Sequence, residues 1–236
     1  MARMPRLSRP GVREALLDAA RDEFSRHGVD RARVEDVARR AGISKGAFYL
    51  HFRTKEDAFR EILQRFLGAL HDHALRRQEV EDRIARDEAG PDGPSLARRL
   101  DAECAIDADL LELLWRNRQI LAAVDGASAA GDLVADFRLG MRALVSRRIV
   151  QRQAAGQLRA DLDPEVVADV VLGTHEGLAR RMASMKAKPD LAAWVRSLLV
   201  LLYEGMLARP RAKTRTLAAA ERAAAPRRRR LPDPAR

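Results

Sequence analysis

Apolar residues recur at helical spacing along almost the whole chain. Val12, Leu16, Ala20 and Phe24 fall every four residues, and the series stops at His27 and Gly28, where a glycine suits a helix C-terminus. Val34, Val37, Ala38 and Ala41 share one face of a short second helix, and Phe48 and Phe52, four apart, anchor a third. Phe59, Ile62, Leu63, Phe66, Leu67 and Leu70 repeat with the i, i+3, i+4, i+7 spacing of a long amphipathic helix, and Thr54 with Asp57 approximates a capping box at its start. Beyond it the only breaks are EAGPDGP at 88–94, DGASAAGD at 125–132, GQLRADLDP at 156–164 and KAKPD at 186–190, which separate four further long helical segments. No period-two strand pattern and no internal repeat interrupts this, so the expected fold is all-α.

At 236 residues and 47% apolar, the chain is long enough for a substantial core. The pattern divides it into an arm at 1–10 (MARMPRLSRP), a head of three short helices at 11–56, a helical body at 57–208, and a tail at 209–236 that degrades to Ala, Arg and Pro and is expected to be disordered. Charge is divided unevenly. Residues 1–60 hold 14 basic against 9 acidic residues, 61–208 hold 20 against 23, and 209–236 hold 10 against 2, giving +5, −3 and +8. Basic ends around a near-neutral middle suit a polyanion partner. Arginine outnumbers lysine 39 to 5 beside abundant alanine, a bias that a GC-rich genome also produces, so charge alone adds little.

The apolar runs fall short of the ~20 residues that span a bilayer, and no signal-peptide core opens the chain, so a cytoplasmic protein without membrane contact is expected. One cysteine, Cys104, leaves no internal disulfide and no thiolate zinc cage. No histidine is preceded by Glu at the Glu-x-x-His spacing of a di-iron bundle, and neither a nucleophilic triad nor a glycine-rich phosphate loop is present. Neither catalysis, nor a metal, nor a cofactor is expected.

The chemistry concentrates in AGISKGAFYLHFRTKEDAF, residues 41–59. Two short helices joined through a glycine make a helix-turn-helix, whose second helix enters the major groove of double-stranded DNA. In that reading Gly42 turns the chain, Ile43 packs inward and Ser44 caps the third helix. Gly46 and Ala47 are small where a helix approaches the groove, leaving Lys45 to reach a base edge or phosphate. Tyr49, His51, Thr54 and Lys55 offer hydroxyl, imidazole and ammonium groups to phosphates. A plain helical hairpin in an ordinary core is the bland alternative, and the joint spacing disfavours it.

Residues 15–59, ALLDAARDEFSRHGVDRARVEDVARRAGISKGAFYLHFRTKEDAF, closely resemble the tetracycline-repressor family of bacterial regulators. The likeness lies in an A-x-x-x-F first helix ending in HG, a V-x-x-V-A second helix, AGISKGAFYLHF and the K-E-D that follows. It implies an N-terminal three-helix DNA-binding domain and a C-terminal helical ligand-binding and dimerisation domain. The chain departs from the pattern at Ala32 and Arg33, where such proteins carry Thr or Ser. Arg33 then supplies charge in place of a capping hydroxyl, and Asp30 is expected to cap instead. Leu50 stands where the family often has an aromatic or polar residue.

In the body, one stripe of the segment from Ser95 to Arg118 holds Cys104, Ala108, Leu111 and Trp115, another Leu96, Leu100, Leu110 and Leu114. Either it is a central core helix or one stripe borders a cavity. For such a cavity the candidate lining is Phe66, Cys104, Ala108, Leu111, Trp115, Phe137, Met141 and His175. Few aromatics occur beyond residue 60, so its walls would suit an aliphatic effector. The last two segments offer broad apolar faces, with Val167, Val170, Val171 and Leu178 on one and Leu191, Trp194, Leu198 and Leu202 on the other. These fit a homodimeric four-helix contact. The expected function is therefore a ligand-responsive regulator, a repressor that binds a pseudo-palindromic operator as a homodimer and is released by a small-molecule effector. A constitutive, sequence-independent DNA-binding protein and a helical enzyme with a DNA-binding head are the alternatives.

Overall fold

The structure, a computed structural model, describes residues 9–88, 96–124, 127 and 130–206. Nine helices, and no strand, follow one another among these residues: α1 (Arg9–Arg31), α2 (Val34–Arg40), α3 (Lys45–Tyr49), α4 (Lys55–Glu88), α5 (Leu96–Arg116), α6 (Arg118–Val124), α7 (Gly131–Ala154), α8 (Pro164–Ala183) and α9 (Leu191–Met206). The expected all-α architecture is what the chain adopts. Of the expected arm only Arg9 and Pro10 are described, and they open α1; the expected tail at 209–236 lies outside the described residues.

Local chemistry accounts for the boundaries. Gly28 interrupts α1 at φ 72°, ψ 161°, a conformation an L side chain rarely adopts. At the end of α2, Gly42 sits at φ 71°, while Gly42 N–H donates to Arg39 O (3.1 Å) and Ile43 N–H to Ala38 O (3.0 Å). That paired bonding is a Schellman termination, and it aims α3 away from α2. The α4 start forms the expected box: Asp57 N–H donates to Thr54 Oγ1 and Thr54 N–H to Asp57 Oδ2, both at 3.1 Å.

Two expectations need correction. No side chain caps α2, whose N-cap is Arg33; Asp30 contributes its backbone carbonyl elsewhere instead. The segment after residue 95 is also two helices rather than one. α5 ends at Arg116, Asn117 Nδ2 donates to Leu113 O at 2.8 Å, and α6 starts anew while the Arg118 guanidinium lies 4.2 Å from the centre of the Trp115 ring. Nothing in the residue types at 116–118 marks this break, because neither Gly nor Pro makes it.

The head is built on Leu16, Leu17, Ala20 and Phe24 of α1, Val37 of α2, Phe48 of α3 and Phe59 and Ile62 of α4, all buried. Phe24 and Phe59 meet edge to face with ring centres 5.7 Å apart. Removing one such ring costs about 3–5 kcal/mol. The same core runs on through Leu63 and Phe66 into Leu111, Leu114 and Trp115 of the body, so α4 belongs to both parts. In the body α5 packs on α4, α8 and α9, α7 packs on α4 and α8, and α6 is wedged between α1 and α8. Among the described residues no helix is long and apolar enough to cross a membrane.

Candidate nucleic-acid interface and ligand cavity

α3 is five residues long and depends on its cap. Ser44 Oγ accepts from Ala47 N–H at 3.2 Å, satisfying one of the free amides of the first turn. Phe48 is fully buried, and its ring lies 5.5 Å from that of Phe52, so one face of α3 is fixed to the head core. The opposite face is open. Ser44, Lys45, Gly46, Tyr49 and Leu50 are exposed there, and Ala47 is half-buried. At Gly46 an added Cβ would meet only Ser44 Oγ, at 3.9 Å, so its smallness answers to nothing within the protein. Leu50 is 82% exposed at the end of α3, an apolar side chain with no intramolecular reason to be there.

The charged residues around α3 are engaged within the head. The Lys45 ammonium pairs with Glu35 of α2 at 2.5 Å, which raises the lysine pKa and lowers that of the glutamate. Lys55 Nζ donates to the carbonyls of Asp30 (2.6 Å) and Ala32 (3.1 Å), binding the start of α4 to the end of α1. Arg33 and Thr54 are exposed, and His51 is half-buried. Arg13, which sequence reasoning passed over, donates to His51 O (3.1 Å), pairs with Glu61 and lies 4.5 Å from the Phe52 ring centre. It thereby ties α1, α4 and the segment between α3 and α4 together.

The body holds a cavity of about 740 Å³, partly open to solvent, between α4, α5, α7 and α8, with residues of α6 and α9 completing its wall. Phe66, Phe137, Met141 and His175 are among the residues that line it. Cys104, Ala108, Leu111 and Trp115 do not: Leu111 and Trp115 are buried in the main core, with Cys104 and Ala108 packed against it. α5 turns its other side, Asp107, Leu110 and Leu114, to the cavity. Burial also pushes the Cys104 thiol pKa up, so it is a packing residue.

Along α4 the wall changes from Leu63, Phe66 and Leu70 to His73 and Arg77; along α7 it changes from Val134, Phe137 and Met141 to Arg148 and Arg152. The end near the head is apolar and the far end is ionic. There Arg77 pairs with Asp107, with Glu103 at 2.5 Å and with Glu81 at 3.0 Å. Glu81 also meets Arg148 at 3.0 Å and Arg152 at 3.8 Å, and Arg152 meets Glu103 at 3.4 Å. His73 Nε2–H donates to Ile106 O at 3.0 Å, and His175 Nδ1–H to Val171 O at 2.8 Å, since a carbonyl can only accept. Burial lowers both histidine pKa values. The His175 Nε2 lone pair is left buried without a hydrogen-bond partner, 3.9 Å from Asp107 Oδ1. Sequence reasoning missed this ionic end. Among the described residues no group of three or more His, Cys, Asp or Glu could hold a metal ion.

The outward face of α8 and α9 also differs from expectation. Val167, Leu191 and Leu198 are buried within the chain, Val171 and Leu202 line the cavity, and Leu178 and Trp194 pack against the core, Trp194 beneath the Arg181 guanidinium at 4.8 Å. Of the residues expected at a dimer contact, Val170 is exposed, at 52%. Val166, one turn before it on α8, and Val200 and Leu201 of α9 are exposed as well. The most continuous apolar stripe of each helix faces its own core.

A serine-capped helix-turn-helix mounted on a helical body with a partly open cavity is the arrangement of a DNA-binding regulator of the helix-turn-helix class. Residues 16–62 match the family model described as bacterial regulatory proteins, tetR family. The helix-turn-helix transcriptional regulator TtgR of Pseudomonas putida is 28% identical over 189 residues, covering 76% of this chain and 84% of its own. The solved structure of NalD of Pseudomonas aeruginosa, 19% identical, covers 83% of this chain and 95% of its own with a TM-score of 0.60, and that of the ketosteroid regulator KstR2 of Mycobacterium tuberculosis, 21% identical, covers 84% and 95% with a TM-score of 0.61. The head of the chain thus carries the signature of the tetR family of bacterial regulatory proteins, and the chain over most of its length is similar to helix-turn-helix transcriptional regulators.

Proposed function

We propose that the protein is a repressor that binds a pseudo-palindromic operator as a homodimer and leaves it when a small molecule fills the body cavity. The observation that carries this reading is the position of α4, which starts beneath α3 at Lys55 and forms one wall of the 740 Å³ cavity from Leu63 to Arg77. One helix five residues long reads too few bases for genomic specificity, and two related by a two-fold axis read two half-sites. The exposed Val166, Val170, Val200 and Leu201 supply an apolar face for that pairing. On the head, Ser44, Lys45, Gly46, Ala47 and Tyr49 face the groove, with Arg33, His51, Thr54 and Lys55 beside the backbone. A ligand that fits the cavity in only one α4 orientation shifts the population of head spacings, and operator DNA weakens ligand binding by the same factor. The NalD structure is described as that of the secondary repressor of a multidrug efflux pump, which supports a repressor here as well.

Selection of bound sequences from random DNA with the purified protein tests the reading. An inverted repeat with half-sites at a helical-turn spacing is the expected result. Binding without a shared motif, with a steep salt dependence, would establish a sequence-independent DNA-binding protein instead.

A further inference from the structure

We propose that the effector of this cavity is an amphipathic anion, an aliphatic chain ending in a carboxylate, whose head group is received by Arg148. The inference rests on the reading of the cavity as the effector site.

At the ionic end, guanidiniums rather than carboxylates dominate the cavity surface. Arg77, Arg148 and Arg152 line it, as does Asp107, whereas Glu81 and Glu103 pair with those arginines without lining it. The carboxylates stand behind and hold the guanidiniums, and the guanidiniums form the wall. Arg148 is the least compensated of them. Glu81 is its single ion-pair partner among the described residues, and that carboxylate is shared with Arg77 and Arg152. Its side chain is only 14% exposed, so water does little of the compensation. Burial accordingly lowers the Arg148 pKa, Arg77 and Arg152 push in the same direction, and Glu81 and Glu103 oppose them. A guanidinium so placed offers the forked donor geometry that a carboxylate accepts.

The rest of the cavity sets what the anion is attached to. The end near the head presents Leu63, Phe66, Leu114, Val134 and Phe137, so it suits a hydrocarbon chain. Arg138, Arg142 and Arg180 also border the cavity; Arg138 and Arg180 are exposed and Arg142 half-buried, and Arg138 is matched by Glu176 and Arg142 by Glu165 and Asp169. A cationic head group would face arginines, and a purely apolar molecule would give the Arg148 guanidinium nothing beyond the shared Glu81 carboxylate. The volume of about 740 Å³ lies within the usual range for small-molecule sites.

The test uses the full-length protein and three probes with the same chain: decanoate, decan-1-ol and decyltrimethylammonium. Each is titrated calorimetrically, and release of the selected operator DNA is followed separately. Decanoate should bind about ten-fold or more tightly than decanol, the equivalent of one charge-assisted contact, and decyltrimethylammonium should bind least. In Arg148→Gln the decanoate preference should vanish while decanol affinity stays; Arg148→Lys, which keeps the charge, should retain part of it. If Arg148→Gln fails to fold, the lysine variant and the ranking of the three probes still decide. Equal or tighter binding of decanol, no binding of any probe, or a preference that survives Arg148→Gln overturns the proposal. Decanoate binding through Arg148 without release of DNA would leave the head-group assignment standing and overturn the effector reading. Release of DNA by some other compound, with decanoate unbound, would do the reverse.

Discussion

Lys45 and Lys55 show how differently two lysines ten positions apart are used. The Lys45 ammonium is held by Glu35, with both side chains more than half exposed, so the pair sits in water at the mouth of the reading face. Replacing Glu35 by Gln should leave Lys45 available and remove a negative charge from that face. DNA binding should strengthen, and the slope of log K against log salt should steepen by about 0.9 for each additional phosphate neutralised; an unchanged slope in a salt titration would place Lys45 away from the backbone. The Lys55 ammonium instead donates to two main-chain carbonyls, and its side chain is 21% exposed. Lys55→Met should lower stability by about 1–2 kcal/mol, since two carbonyl acceptors lose a charged donor. Denaturant unfolding of the DNA-free protein measures it, and an unchanged midpoint would show that the carbonyls are satisfied by water. Sequence reasoning placed both lysines near DNA because it sees spacing along a helix. It does not see Glu35 or the carbonyls of Asp30 and Ala32, which only the fold brings alongside.

The elements of the head were legible because their signals are local. Ser44, Thr54 and Asp57 cap helices within three residues of themselves, and Gly42 carries a backbone angle that favours glycine. Ser44→Ala should therefore cost about 1 kcal/mol and lower operator affinity more than the affinity for random DNA, because α3 is too short to hold its register uncapped; Ser44→Thr should recover most of both, as paired binding and melting curves would show. The body was less legible for the converse reason. Arg77 and Glu81, Glu103 and Asp107, and Arg148 and Arg152 each sit four apart on a helix, and each pair continues a stripe that is otherwise apolar. That is a readable anomaly, but its meaning lies in pairing between α4, α5 and α7 across 26 residues or more of sequence. The α8 and α9 faces misled for another reason: apolar continuity marks burial, and it does not say whether the burying partner is the same chain.

For the molecule as a whole, the buried histidines make stability depend on pH. Burial lowers the pKa of His73 and of His175; around the latter Arg77 and Arg148 act in the same direction, while the Val171 carbonyl and Asp107 oppose it. In the unfolded chain both titrate near ~6.5. Below that pH the unfolded state takes up protons that the folded state refuses, so stability is present above about pH 6.5 and is lost as pH falls toward the lower folded values. Thermal midpoints should drop between about pH 7 and 5 and flatten in a His73→Gln/His175→Gln variant; a wild-type midpoint independent of pH over that range would contradict the burial. At the scale of the assembly, Leu201→Glu should place a charge among the exposed apolar residues proposed to pair two copies and yield a monomer in sedimentation, with operator affinity reduced accordingly; a variant that still sediments as a dimer would move the interface elsewhere.

α4 also has a purely mechanical property. From Lys55 to Arg77 it runs 22 residues, roughly 33 Å at the helical rise, with the Arg77 end set in the ionic cluster and the Lys55 end fastened to the head. A stiff rod pivoting at the cluster would convert a rotation of roughly 5° into a displacement of roughly 3 Å at the head, which approaches the ~3.4 Å axial rise of one base pair. The molecule thus carries a built-in gear ratio, in which a tilt too slight to disturb the packing around Arg77 carries α3 by nearly one base step.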